Sequence, residues 1–195
     1  MAEITTATIK ALRDETGISV MQVKKALEEA GGDAEKAKII LRKTSAAIAA
    51  KKADRELGAG VAAAYVHAGG AVVGAVVLGC ETDFVSKNED FGKLAYDIAM
   101  HVAAMKPVYK SKEDVTEDNI KSAREVFTSE AANVPEAKRE MAIQGKLDSY
   151  LAERVLLEQP FVKNGDVTIR DLLDQAAQKF GERVEIVKFS RLSVK

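Results

Sequence analysis

The sequence predicts an α+β protein: a small N-terminal three-helix module followed by an antiparallel β-sheet core packed with helices. Three observations predict it. The first 43 residues carry three short helical patterns divided by turn signals. Two Val/Ala-rich runs, 60–68 and 71–80, flank Gly69-Gly70. A β-rich segment, Arg183 to Val194, closes the chain after a long stretch in which apolar residues recur at helical spacing. With 195 residues, 47% of them hydrophobic and 30% charged, the chain can bury a core as one large domain or as a small one plus a medium one.

In the N-terminal module, Ile4, Ile9 and Leu12 form the first apolar pattern and Gly17 stops it. Ser19, with Gln22 three residues on, has the spacing of a capping box and opens a helix through Val23 to Leu27. Gly31-Gly32 breaks that helix, Asp33 caps the third, and Ala37, Ile40 and Leu41 give it an apolar face. A bundle this small buries little surface alone, so some of its apolar groups are expected to serve a partner or the rest of the chain. The Ala- and charge-rich stretch that follows has no broad apolar stripe. It reads as a helical linker, which gives an organisation of module 1–43, linker 44–57 and core 58–195.

The core opens with a hairpin, because Gly69-Gly70 accepts the positive φ angles of a tight two-residue turn. Gly58, Gly60, Gly74 and Gly79 suit turns and close strand packing. From Asn88 a helix is indicated by Phe91, Leu94, Ala95, Ile98, Val102 and Met105 on one face, with Pro107 just beyond its end. Residues 112–134 read as charged helical turns, with Thr116 as a cap and Ala123, Val126 and Phe127 inward. Pro135 suits the first turn of the next helix, which runs through Met141, Ile143, Leu147 and Leu151. Asn164-Gly165 signals a turn, and Thr168 with Asp171 has capping-box spacing before Leu172, Leu173, Ala176 and Phe180. Gly181 ends that helix, and the final β-rich segment is expected to join the hairpin as a third strand.

The chemistry of the chain points away from an enzyme. Lys plus Arg (29) nearly cancels Asp plus Glu (30), so net charge gives no case for nucleic acid or an anionic membrane. The longest apolar stretch, Ala71 to Gly79, falls far short of the ~20 residues that span a bilayer. A single cysteine, Cys80, cannot form an internal disulfide, and Met1 is followed by Ala2-Glu3-Ile4 rather than by a basic segment, so the chain reads as cytoplasmic. There are only two histidines, His67 and His101, and with no spaced second ligand they read as structural or surface groups. Cys80 has Glu81 beside it, which opposes a reactive thiolate, and reads as a half-buried structural thiol. No phosphate loop, dinucleotide turn or zinc-protease helix motif occurs. No cofactor or metal is expected. The basic pairs Lys24-Lys25 and Lys51-Lys52 could meet RNA phosphates, but they lack interleaved aromatics and have acidic neighbours such as Glu28, Glu29, Asp54 and Glu56. What remains is a binding protein.

Its most informative stretch is Cys80-Glu-Thr-Asp-Phe-Val-Ser-Lys-Asn88, where a large aromatic follows the end of an apolar strand in a polar, helix-starting setting. Phe84 can project outward there as a wedge. The alternative is that it packs over its own helix against Leu94 or Ala95.

Four stretches in order resemble bacterial elongation factor Ts, the guanine-nucleotide exchange factor family that acts on elongation factor Tu. They are Leu12-Arg-Asp-Glu-Thr-Gly17 with Lys24-Lys-Ala-Leu-Glu28; Glu81-Thr-Asp-Phe-Val85 with Asn88; Ile98-Ala-Met-His-Val-Ala103 with Lys106-Pro107; and Glu158-Gln-Pro-Phe-Val162. The resemblance implies that the N-terminal module is of the ubiquitin-associated type. It also implies a short form with a single core unit, two copies of which pair and bind two molecules of the partner. It assigns partner contact to Leu12, Val20 and Met21 in the module and magnesium dislocation in the partner to Thr82, Asp83, Phe84 and Val85. Phe84 is then the wedge, Asp83 its polar anchor, and Thr82 and Val85 hold the loop's shape. Where relatives often have Gly-Ala-Gly-Met-Met, this chain has Gly17-Ile-Ser-Val-Met21, which keeps an apolar group but loses one adaptable methionine. No catalytic residue, nucleic acid or membrane is implied. The rival readings are a helical adaptor whose module binds some other protein while the core serves dimerisation, and an RNA-associated protein using Lys51 and Lys52.

Overall fold

The computed structural model describes residues 4–194. The opening residues read above for targeting, 1–3, and the last residue of the expected core lie outside them. Three helices come first: α1 (Thr6–Thr16), α2 (Val20–Glu29) and α3 (Ala34–Ala50). Each starts on an oxygen-bearing cap. The side chains of Thr5, Ser19 and Asp33 accept from the backbone N–H groups of Thr8, Gln22 and Lys36, so each helix has one of its free amides satisfied at the entry. Leu12, Ile18, Val23, Ala26, Leu27, Ala37 and Leu41 form one buried cluster between the helices. The segment 44–50 continues α3 without a break. Its Ser45 is buried, with the hydroxyl within hydrogen-bond distance of Leu41 O at 2.9 Å and of Gln178 Oε1 at 2.5 Å.

Next come β1 (Ala59–His67), β2 (Val72–Cys80), α4 (Asp83–Ser86), α5 (Glu89–Met105), α6 (Glu117–Glu130), α7 (Glu136–Arg154), β3 (Pro160–Phe161), β4 (Asn164–Thr168), α8 (Ile169–Phe180) and β5 (Glu185–Ser193). The fold is α+β with an antiparallel sheet core. In that sheet β5 lies beside β2 in the order β1-β2-β5, and a second, two-stranded antiparallel sheet pairs β3 with β4. The hairpin connection is longer than the two-residue turn expected. Ala68, Gly69 and Gly70 are all left-handed, with φ of 50°, 65° and 96°, and Ala71 N–H donates to Ala68 O. Gly74 has a different reason to lack a side chain: a Cβ there would sit 2.1 Å from Ala99 O and 2.7 Å from Ala103 N, so β2 lies against the backbone of α5.

The chain divides into two compact units. One comprises the chain up to Ala63, Val76–Tyr96 and Arg170–Val187; the other comprises Ala64–Ala75, Asp97–Ile169 and the chain from Lys188 on. In the second unit His101 and Gln159, both fully buried, join two of the sequence stretches singled out above. Val162 N–H donates to His101 Nδ1 at 3.2 Å, so Nδ1 is the unprotonated nitrogen and Nε2–H donates to Gln159 Oε1 at 2.9 Å. The Gln159 amide then donates to the carbonyls of Glu153 and Met105. Burial holds the His101 pKa below its ordinary value, with the Gln159 bond acting in the other direction. The same ring fixes the neighbouring turn. The chain reverses at 162–163 rather than at Asn164-Gly165, which opens β4 instead.

Candidate functional site

β2 carries the buried Cys80 at its end, and the next residues turn away from the sheet into α4. This four-residue helix is too short to hold itself, since a single turn fixes several dihedrals for one hydrogen bond. Its position comes from what grips it. Val85, only 3% exposed, points inward, while its neighbour Phe84 is 82% exposed and stands in solvent. The alternative packing of Phe84 on Leu94 or Ala95 is therefore not what the fold adopts. Asp83 lies on the surface beside Phe84, where its carboxylate accepts from Lys87 Nζ at 2.6 Å. Ser86 Oγ donates back to Asp83 O at 3.1 Å, and the Cys80 thiol donates to Thr82 O at 3.2 Å.

The base of the loop is tied to the turn between α8 and β5. Glu182 Oε2 accepts from the backbone N–H groups of Glu81 and Thr82, both at 3.0 Å, and Glu182 Oε1 accepts from Thr82 Oγ1 at 2.5 Å. The exchange is reciprocal, because Arg183 N–H donates to Glu81 Oε1 at 2.6 Å. Arg55 adds a guanidinium contact to Glu81 at 3.1 Å, and Arg183 Nη1 donates to Arg55 O at 2.6 Å. The Arg183 backbone N–H, and after it the Arg55 guanidinium, hold the Glu81 carboxyl below the usual carboxylate range. Burial, and then the charge of Glu182, push the Cys80 thiol up, which keeps it in the unreactive thiol form. Two further contacts brace the flanks of the loop: Phe91 meets Phe180 edge-on at 5.7 Å, and Lys179 Nζ bonds Asp90 at 2.8 Å.

Thr82, Asp83, Phe84 and Val85 thus lie together, two of them held and two presented. The module residues are not alike. Val20 (50% exposed) and Met21 (83%) lie on the surface of α2, whereas Leu12 (3%) sits in the core of the three-helix cluster. Leu12, expected to contact the partner, packs within the three-helix cluster from the inner stripe of α1. Sequence reasoning missed Glu182, Arg183 and Arg55. Gly181 marked a turn there, but no local pattern pairs that turn with residues 81–82, about a hundred positions earlier.

Among the described residues, no group of three or more His, Cys, Asp or Glu side chains is placed to hold a metal ion. No described helix is long and apolar enough to cross a membrane.

Comparison with known proteins matches residues 34–195 to the family model for elongation factor TS. The chain is a translation elongation factor. Curated proteins named elongation factor Ts align with nearly all of it. The one from Desulforamulus reducens is 44% identical over 193 residues, spanning 98% of this chain and 89% of the relative. That from Carboxydothermus hydrogenoformans is 45% identical with the same coverage, and that from Thermotoga petrophila is 41% identical over 98% of this chain and 96% of the relative. The chain belongs to the elongation factor Ts family.

Proposed function

We propose that the protein is the guanine-nucleotide exchange factor of elongation factor Tu, and that the Phe84 loop is the part that loosens GDP. The observation that carries this reading is the contrast within one helical turn: Phe84 is exposed beside a buried Val85, on a loop tied down at its base. An exposed aromatic on an anchored loop is suited to enter another protein's surface, because the loop loses little freedom on binding. A GTPase holds GDP through backbone amides around the phosphates and a magnesium ion that neutralises them. If Phe84, flanked by Asp83, fits only the arrangement in which that ion is displaced, then the loop weakens GDP by the same factor by which GDP weakens the loop. No covalent step is involved, so the protein is not an enzyme in the chemical sense.

In the same proposal, Val20 and Met21 of the module 1–43 dock the partner, the segment 44–57 connects, and the core from 58 on pairs with a second copy to give a two-plus-two complex in the cytoplasm. Exposed apolar side chains on the sheet strands, Val66, Val77, Val187 and Leu192, support the pairing. Lys52 donates to Gly181 O at 2.7 Å, an intramolecular role that an RNA-binding reading does not need. A monomeric mass by light scattering would remove the paired arrangement, and an unchanged affinity in Met21→Asp would remove the docking role.

The deciding experiment loads elongation factor Tu with fluorescent GDP, adds the protein, and chases with unlabelled GDP. Wild type should accelerate release. Burying a phenyl ring is worth about 1.5–3 kcal/mol, so Phe84→Ala should slow the accelerated release by roughly 10- to 150-fold. A stable complex without release would instead indicate an adaptor.

A further inference from the structure

We propose that Glu182 is a positioning residue for nucleotide release: it aims Phe84 by fixing the two residues from which α4 starts. The inference rests on the exchange reading of the Phe84 loop. Among the described residues, the three hydrogen bonds that Glu182 accepts come from Glu81 and Thr82, and none comes from its own turn. Thr82 is the N-cap of α4, yet its side chain makes no cap bond to the helix; its hydroxyl is turned to Glu182, to which it donates. The entry angle of α4 is thereby set from outside the helix, by a carboxylate delivered from about a hundred residues away.

Phe84 lies two residues beyond Thr82, at the end of a short lever. A small rotation at Thr82 swings the Phe84 ring, which is 82% exposed. A misplacement of about 1 Å at such a contact can cost about a hundredfold in rate. Other tethers act beside it: the Cys80 thiol donates to Thr82 O at 3.2 Å from the end of β2, which leaves the two backbone N–H groups and the Thr82 hydroxyl to Glu182. Val85 seats the inner side of the turn, and Arg183 N–H grips Glu81 through its side chain rather than its backbone. Nor does the fold require a carboxylate at 182 for packing, since Glu182 is only half-buried.

The chemistry separates three substitutions. Glu182→Gln keeps an oxygen that can accept both backbone N–H groups and gains an amide that can donate to Thr82 Oγ1. Glu182→Asp keeps the charge but withdraws the carboxylate by one methylene. Glu182→Ala removes all three bonds. Release of fluorescent GDP from elongation factor Tu would be followed against concentration of the full-length variants, with wild type and Phe84→Ala alongside. The expected result is a maximal rate lowered about tenfold or more in Glu182→Asp and Glu182→Ala, with the half-saturating concentration unchanged and Glu182→Gln within about threefold of wild type. Amide hydrogen exchange at Glu81 and Thr82 should quicken in the Asp and Ala variants. Glu182→Asp retains the charge and most of the side chain, so the test stands if Glu182→Ala does not fold. A wild-type maximal rate in Glu182→Asp, or a loss in Glu182→Gln equal to that in Glu182→Ala, overturns the proposal. A wild-type protein that does not accelerate release sinks the exchange reading itself. An active wild type with a slow Phe84→Ala and unaffected Glu182 variants sinks only the role of Glu182.

Discussion

Replacing Asp174 by Asn should stabilise the protein at neutral pH and leave it unchanged in acid. Asp174 lies half-buried on α8, in an open cleft of about 370 Å³ floored by Ala46, Ala49, Ala50 and Ala53 of the long third helix and its continuation. Burial pushes its carboxyl from the ordinary 3.8 up to about 6; Arg170, one turn earlier, favours the ionised form, and Asp171 opposes it. Arg183 and Glu185 also line the cleft and carry charge. A carboxyl raised in this way binds more protons in the folded state than in the unfolded one. Its contribution to stability is whole below 3.8 and is lost as the pH rises through about 6. Above that, the ionised group is a standing cost. At ~1.4 kcal/mol per pH unit the full shift corresponds to roughly 3 kcal/mol, which solvent screening of a half-exposed group reduces to about 1–2 kcal/mol. Asn keeps the shape and cannot ionise. Urea unfolding of both proteins at pH 7.5 and pH 4 is the assay. The variant should gain about 1–2 kcal/mol at pH 7.5 and close to nothing at pH 4. Equal gains at both pH values, or none at pH 7.5, would refute the reasoning.

Gly74→Val should destabilise the protein by about 3 kcal/mol or more, because the first added carbon already meets Ala99 O at 2.1 Å and α5 must move away from β2; thermal melting checks it, and an unchanged midpoint would mean the two elements separate freely. Gln159→Leu should cost about 2–4 kcal/mol, since it leaves His101 Nε2–H and the carbonyls of Glu153 and Met105 without that side chain. His101 itself is held neutral, so wild-type stability should fall as pH drops below its ordinary pKa of 6.5, where the unfolded chain gains a proton that the folded one refuses. Denaturant titrations of His101→Phe that retain the wild-type slope with pH would exclude His101 as its source.

The elements that local chemistry specifies were legible in the sequence. Ser19, Asp33 and Thr116 stand at helix starts and accept from backbone amides there, as capping preferences dictate, while Pro135 stands one position before the first turn expected for it. The third strand was legible too, from the β-rich composition of 183–194, though not its place beside β2. The turn at 162–163 was not, because it is set by a hydrogen bond to a histidine ring some sixty residues earlier rather than by Asn164-Gly165. At the candidate site, Phe84 could be singled out as an aromatic in a polar setting. Its grip could not: Glu81, Glu182, Arg55 and Arg183 are ordinary charged residues in sequence and become a clamp only when strands β2 and β5 lie side by side. Leu12 belongs both to the first helix's apolar pattern and, by the resemblance, to the partner contacts; the fold places it in the three-helix cluster.

The clamp also dictates an order of events during synthesis. The loop that presents Phe84 leaves the ribosome early, yet the residues that tie its base follow about a hundred positions later. A nascent chain that has not yet delivered the turn after α8 carries the aromatic on an untethered segment, with β2 still lacking its neighbour β5. Contacts so far apart in sequence form slowly, because a long loop must close before they contribute anything. Until that closure, a growing chain carries the aromatic on a loop without its clamp, so under the exchange reading proposed above an incomplete copy would not present Phe84 as the full chain does.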